Sequence, residues 1–188
     1  LAEGHRIAGG RTRVHVGIST FIPKPHTPFQ WVPFEDPGII EEKLALLHEG
    51  FHGAKIKMTW NDPEASLLEA WLARGDRRMA NVIYHAWQRG ARFDAWSEHF
   101  NLTHWAAAFE AVGLDPDFYS TRPRQLDEIL PWDHINAGIR KAFLIQDYEW
   151  SKEGKIRPDC RERCYACGIL ANFQDLRTAA PHGGWKCP

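Results

Sequence analysis

The stretch Val14-His15-Val16-Gly17-Ile18 decides the fold, because its apolar residues recur at every second position. That alternation is typical of a half-buried β-strand. A second alternating stretch, Ala54-Lys55-Ile56-Lys57-Met58-Thr59-Trp60, predicts another strand. Asp36-Pro37 predicts a helix start between them, because Asp caps helix N-termini and Pro suits the first helical position. Strand, helix and strand together predict a βαβ unit with two parallel neighbouring strands and a right-handed crossover.

The helix between these strands carries an apolar stripe at helical spacing, made of Ile39, Ile40, Leu44, Leu47 and Phe51. Residues with this spacing share one face of an α-helix. Gly53 follows the stripe, which suits the end of a helix. One βαβ unit cannot close a sheet, so residues 1–60 fit the last part of a larger α/β sheet or barrel.

The chain after residue 60 is predicted to be helical. Asp62-Pro63 opens one helix that ends at Gly75, and the next helix carries the apolar face Met79, Val82, Ile83, Ala86 and Trp87. Further helices are predicted near residues 101–112, at Asp115-Pro116 and near residues 136–152. The predicted fold class is therefore α/β followed by α.

Residues 20–31 form an extended, stiff segment directly after the first strand. Three prolines fall within residues 23–28, which rules out a helix and an internal strand of a sheet. Ligands collect at strand ends in open and barrel α/β folds, so His26 on this segment is a candidate functional residue. His134 is the next candidate. The alternative is a connector that is packed through its own aromatic side chains.

Three of the four cysteines, Cys160, Cys164 and Cys167, lie within eight residues. A disulfide framework spreads its cysteines over a small secreted domain, whereas thiolates this close together suit one metal centre. Cys187, 20 residues after Cys167, is the candidate fourth ligand, and His182 is the alternative. The spacing suits an iron–sulfur cluster. Zinc and free thiols stay open as alternatives.

A group of arginines surrounds one predicted helix junction, in the string Arg74-Gly75-Asp76-Arg77-Arg78. Guanidinium groups bind carboxylates and phosphates through paired hydrogen bonds, so these side chains are candidates for an anion clamp. The alternative is a capped helix start with solvated arginines.

The composition argues against several classes of protein. The 23 basic and 24 acidic residues give a net charge of −1, which makes no case for nucleic-acid binding by charge alone. No apolar run is long enough to span a bilayer, and the first residues do not resemble a signal peptide. With the clustered cysteines, this predicts a cytoplasmic location and no membrane partner. The start at Leu1 rather than Met suggests that an upstream part precedes the chain.

Several strings resemble the C-terminal part of the cobalamin-binding-domain radical SAM (S-adenosylmethionine) proteins, in a branch that is largely uncharacterised. The strings are Pro23-Lys24-Pro25-His26-Thr27-Pro28 and its flanks, Arg74-Gly75-Asp76-Arg77-Arg78, Gly90-Ala91-Arg92-Phe93-Asp94, Leu130-Pro131-Trp132-Asp133-His134 and residues 158–168 with the clustered cysteines. The likeness extends over residues 12–168. One departure is that Gly168-Ile169-Leu170 offers no fourth cysteine, which often follows soon after the Cys-Gly in this family.

The resemblance implies a division into three parts. Residues 1–60 would be the C-terminal end of a radical SAM partial barrel, residues 61–153 a helical region, and residues 154–188 a Cys-rich metal-binding tail. The SAM-binding cysteines and the cobalamin-type domain would lie in a missing N-terminal portion of the same protein. The implied substrate-side residues, facing an RNA, a protein or another unknown substrate, are His26, Gln30, Arg74, Asp76, Arg77 and Arg78.

The same cysteine spacing holds the catalytic 4Fe-4S cluster of radical SAM enzymes, but there the cysteines follow the first barrel strand. Only 21 residues follow Cys167 here, so we expect an accessory iron–sulfur or zinc site and no SAM cleavage by this chain alone. The rival hypothesis is a zinc-knuckle helical module that binds RNA or protein without redox chemistry.

Overall fold

The two alternating stretches form neighbouring parallel strands. Strand β1 spans Val14–Ile18 and strand β2 spans Ile56–Trp60, with Val14 opposite Ile56 and Ile18 opposite Trp60. Helix α2, Pro37–Gly50, connects them. The predicted parallel βαβ unit is therefore confirmed, and its place in a larger barrel stays a prediction. The structure, a computed structural model, describes residues 2–7, 9, 14–53 and 56–179.

The other described elements are helices. In chain order they are α1 (Ala2–Ile7), α3 (Pro63–Arg74), α4 (Met79–Gln88), α5 (Leu102–Val112), α6 (Pro116–Tyr119), α7 (Lys141–Lys152), α8 (Ile169–Asn172) and α9 (Gln174–Ala179). The sequence did not predict α1, α8 or α9, and α7 begins at Lys141 rather than near residue 136. None of the described helices is long and apolar enough to cross a membrane.

Aspartates begin three of these helices, as their positions before proline predict. The Asp36 carboxylate accepts hydrogen bonds from the backbone N–H groups of Gly38 and Ile39. Asp62 caps α3 and Asp115 caps α6 in the same way. Each cap satisfies donors that the first turn of a helix leaves without a partner, so these boundaries follow from local chemistry.

The chain forms two compact units. The first unit consists of Leu1–Ile22 and Pro33–Arg122, and the second unit consists of Pro23–Val32 and Pro123–Pro188. The proline-rich segment thus leaves the first unit after β1 and packs with the C-terminal part of the chain. The division at residues 60 and 153 rests on the family resemblance and is a separate prediction.

Each unit has its own apolar core. In the first unit, Trp71, Val82, Ala86, Trp105 and Phe109 form the centre of one cluster. In the second unit, Trp31 packs with Leu130, Trp132 and Leu144. The Trp31 and Tyr148 rings lie 5.9 Å apart, so the aromatic side chain of the proline-rich segment is part of this second core.

Parts of two predicted apolar faces are exposed. On α2, Ile40 is buried, but Ile39 and Leu47 are 42% and 38% exposed. On α4, Ile83 and Trp87 are 46% and 50% exposed, while Met79, Val82 and Ala86 are buried. Helical periodicity identifies the apolar face of a helix, but it does not show how much of that face a neighbour covers.

Candidate functional site

A cavity of about 360 Å³ lies in the second unit and joins the proline-rich segment to the chain around α7. Its size is within the range of small-molecule pockets. Four polar side chains at its wall, besides His26 and Gln30, come from the C-terminal stretch: Asp133, His134, Asn136 and Lys141. The structure therefore brings together His26, Gln30 and His134, which the sequence proposed separately.

Gln30 fixes the inner wall of this cavity. Its side chain is almost completely buried, with 2% of the residue exposed. The Oε1 atom accepts a hydrogen bond of 2.6 Å from the Trp132 indole Nε1 and one of 3.0 Å from the backbone N of His26. One amide oxygen thus joins two segments that lie 102 positions apart in the sequence. A buried acceptor of this kind is costly to remove, because both donors would lose their partner.

His26 is held in an uncommon backbone conformation. Its φ angle is +57°, in the left-handed region that residues other than glycine rarely adopt. The hydrogen bond to Gln30 holds its backbone N–H, and Thr27 Oγ1 donates to the carbonyl of Lys24 at 2.8 Å, which closes the turn. Backbone strain of this kind is concentrated at functional sites, so the turn is a reasonable place for a functional imidazole.

A lysine and an aspartate form one corner of the cavity. Lys141 Nζ donates to Asp133 Oδ2 at 2.7 Å and to the carbonyl oxygen of Glu128 at 2.8 Å. The same Asp133 oxygen accepts from the backbone N of Leu130 at 2.9 Å. Because the ammonium and the carboxylate neutralise each other, this corner offers a polar, oriented surface rather than a net charge.

The cavity presents hydrogen-bonding groups from both segments, including two imidazole side chains. His26 is half-buried and His134 is exposed at the same cavity. Sequence reasoning missed Asp133, Asn136 and Lys141. The only signal for Asp133 was its position beside His134, and nothing local distinguishes Lys141 from a solvated lysine at a helix start.

The cysteine loop contains a hydrogen-bonded turn. The backbone N of Ala166 donates to Cys164 Sγ at 3.4 Å. Ala166 itself has a φ angle of +52°, and Gly168 has one of +113°. The segment between Cys164 and Cys167 therefore has a defined local conformation.

Of the predicted metal ligands, the structure describes Cys160, Cys164 and Cys167. Cys160 and Cys164 are exposed, Cys167 is half-buried, and all three thiols are free. Within the described ranges, no three His, Cys, Asp or Glu side chains are arranged to hold a metal ion. Cys187 and His182 lie outside the described residues. The four-ligand metal site therefore stays a prediction.

The arginine group lies in the first unit and is partly structural. Arg74 is completely buried, and its Nε donates to the carbonyl oxygen of Tyr119 at 3.1 Å. Asp76 accepts from Arg78 Nη2 at 2.6 Å, and this hydrogen bond lowers the pKa of the Asp76 carboxyl. Arg77 is exposed. The substrate-side role of these residues stays a prediction, and Arg74 has a packing role as well.

Comparisons with known proteins give no relative on which to base an assignment. A scan against models of protein families finds no match, and neither the curated proteins nor the solved structures contain one. The function of the chain must therefore be argued from its own residues.

Proposed function

We propose that this chain is the C-terminal part of a radical SAM enzyme and that its cysteine loop binds an accessory iron–sulfur cluster or zinc ion. Cys160, Cys164 and Cys167 would be three ligands, and Cys187 the fourth. SAM, and cobalamin where the enzyme uses it, would bind to the rest of the same protein. The cavity beside His26, Gln30 and His134 would face an RNA or protein substrate in the cytoplasm.

The observation that carries the metal site is the hydrogen bond from the Ala166 N–H to Cys164 Sγ. Ala166, between the two cysteines, has a left-handed backbone conformation, and so has Gly168 directly after Cys167. The backbone of this turn is held from outside as well, because Arg140 N donates to the Cys167 carbonyl oxygen at 2.8 Å.

The two metals would supply different chemistry. An iron–sulfur cluster would transfer electrons at a potential set by its surroundings, whereas zinc with four protein ligands would stabilise the fold. The chain's own residues have the same tasks in both cases. The thiolates bind the metal, Gln30 orients the proline-rich segment, and His26 and His134 hold or move protons at the cavity.

Metal analysis of protein purified without oxygen tests this proposal. We expect one metal site per chain, as iron with sulfide or as zinc, in the wild type. Cys164→Ser should lose most of that metal, and Ala171→Ser, which adds a hydroxyl on the exposed face of α8, should keep it. Wild-type protein that contains no metal, and takes up neither zinc nor iron with sulfide, would overturn the proposed site.

A second measurement concerns the SAM chemistry. With SAM and a strong reductant, the reconstituted chain alone should form no 5′-deoxyadenosine, because the resemblance assigns the SAM-binding cysteines to the preceding barrel. Formation of 5′-deoxyadenosine that is lost in Cys164→Ser would instead assign the cysteine loop as the catalytic cluster. It would show that the accessory role is wrong.

An exposed aromatic surface favours the second candidate function, the zinc-knuckle binding module. Tyr84, Trp87, Phe93 and Trp96 are each at least half exposed. The Tyr84 and Trp87 rings are stacked 6.0 Å apart, and the Arg92 guanidinium lies 5.4 Å from the Trp87 ring. Such faces stack on unpaired bases. Stoichiometric zinc without iron, with Trp fluorescence quenched by single-stranded RNA in wild type but not in Trp87→Ala, would favour this module.

A further inference from the structure

An aromatic cage around one guanidinium lies beside the cysteine loop. The Arg157 Cζ atom is 4.6 Å from the Phe143 ring centroid, 4.2 Å from that of Trp150 and 4.9 Å from that of Tyr165. Arg157 Nε also donates to the Asp147 carboxylate, and only 13% of the Arg157 side chain is exposed. Three of these partners belong to α7, so Arg157 is fixed on that helix and not solvated.

The fourth partner, Tyr165, lies between Cys164 and Cys167 in the sequence. Its hydroxyl is buried and makes no hydrogen bond to any described residue, so the ring must be held through its faces and edges. The Arg157 guanidinium is the nearer of two cations at this ring, because Arg163 lies 5.9 Å from the centroid. A planar guanidinium stacks well on aromatic rings. The cage therefore connects α7 to the residue at the centre of the cysteine turn.

A second connection to the same helix lies at the other end of the turn. The backbone N of Arg140, the residue that precedes α7, donates to the Cys167 carbonyl oxygen at 2.8 Å. Gly168 then lies so close to this segment that an added Cβ would be 2.8 Å from the Gly138 carbonyl oxygen. The segment from Tyr165 to Cys167 is thus held at both ends, by Arg157 at Tyr165 and by Arg140 at Cys167.

We propose that Arg157 is a positioning residue that holds the turn between Cys164 and Cys167 ready for a metal before the metal binds. This inference rests on the proposed metal-binding function. A ligand pair that is already in place binds with less loss of conformational entropy. Residues that orient metal ligands typically change metal affinity by roughly 10–100-fold when they are removed. Arg157 reaches no metal itself, and it acts through Tyr165.

Cobalt titration of the full chain tests this role, because Co²⁺ bound to thiolates has characteristic visible bands. The variants are Arg157→Gln, Arg157→Lys and the matched control Arg161→Gln. Arg161 is an arginine of the same loop with its own acidic partner, Asp159, but its side chain is 83% exposed. Arg157→Gln should bind Co²⁺ about 10–100-fold more weakly than the wild type. Arg161→Gln should be unchanged, and Arg157→Lys should lie between them.

A second readout does not depend on metal. In the metal-free chain, Arg157→Gln should change the rate at which Cys164 and Cys167 react with iodoacetamide, with far-UV circular dichroism as in the wild type. If Arg157→Gln does not fold, Arg157→Lys gives the same comparison. Failure of the wild type to bind Co²⁺ would overturn the proposed metal site. Wild-type binding with equal affinity and equal thiol reactivity in Arg157→Gln, Arg157→Lys and Arg161→Gln would overturn the role of Arg157 alone.

Discussion

Replacement of Gln30 by methionine is the most direct test of how the second unit holds its cavity. Gln30→Met keeps the side-chain length but removes the oxygen that accepts from Trp132 Nε1 and from the backbone N of His26. A buried donor without a partner costs about 1–3 kcal/mol. The hydrogen bond from Trp132 is fully buried, whereas the one from His26 is half-buried. The cost of leaving the His26 N–H without a partner is therefore at the lower end of that range. We expect a loss of about 2–4 kcal/mol in the free energy of unfolding.

The measurement is urea unfolding followed both by tryptophan fluorescence and by far-UV circular dichroism, because two units need not unfold together. Gln125→Met, on the surface of the same unit, is the matched control and should leave the midpoint unchanged. Combination of Gln30→Met with Trp132→Phe should be less than additive, because both remove the same bond. A Gln30→Met protein within 0.5 kcal/mol of the wild type, a margin typical of surface substitutions, would refute the reasoning.

Three further predictions concern the rest of the chain. Arg74→Ala should destabilise the first unit by about 2–4 kcal/mol, because it empties a buried volume and removes a donor from a buried carbonyl. Denaturant unfolding measures this loss, and an unchanged free energy of unfolding would contradict a packing role for Arg74. Arg78 lowers the pKa of Asp76, so the pair stabilises the fold at neutral pH and this contribution is lost as the pH falls through the folded-state pKa of Asp76. Asp76→Asn should therefore flatten the acid side of a plot of midpoint temperature against pH, and an unchanged slope would count against the ion pair. Gly138→Ala should cost about 1–3 kcal/mol, since Gly138 has a φ angle of +81° and an added Cβ would lie 2.3 Å from Phe173; an unchanged melting temperature would argue against this close approach.

The parts of the fold that the sequence predicted are those that depend on neighbouring residues. The alternation in β1 and β2 and the aspartate caps of α2 and α3 are local signals, and their elements appear where expected. The exposed Ile39 and Ile83 show the limit of such signals. Apolar residues at helical spacing identify the apolar face of a helix. The residues that cover that face come from distant parts of the chain, which the local pattern does not show.

The candidate site depends on contacts that no local pattern encodes. The prolines predicted a stiff segment, yet nothing near Gln30 indicates that its amide oxygen meets the indole of Trp132, 102 positions away. Lys141 looks like any lysine at a helix start, and its place at the cavity follows from its bonds to Asp133 and Glu128. The cysteine spacing predicts a metal centre, and that centre stays a prediction.

During synthesis, the proline-rich segment is made long before the residues that cover it. Trp31 leaves the ribosome before its neighbours in the folded protein, such as Leu130 and Trp132, which follow about a hundred residues later. At ordinary elongation rates, roughly 5–20 s pass between the synthesis of Trp31 and that of the residues that bury its indole. During that interval the nascent chain presents an uncovered aromatic beside three prolines. A chaperone that holds newly made chains would meet it there, before the C-terminal residues arrive.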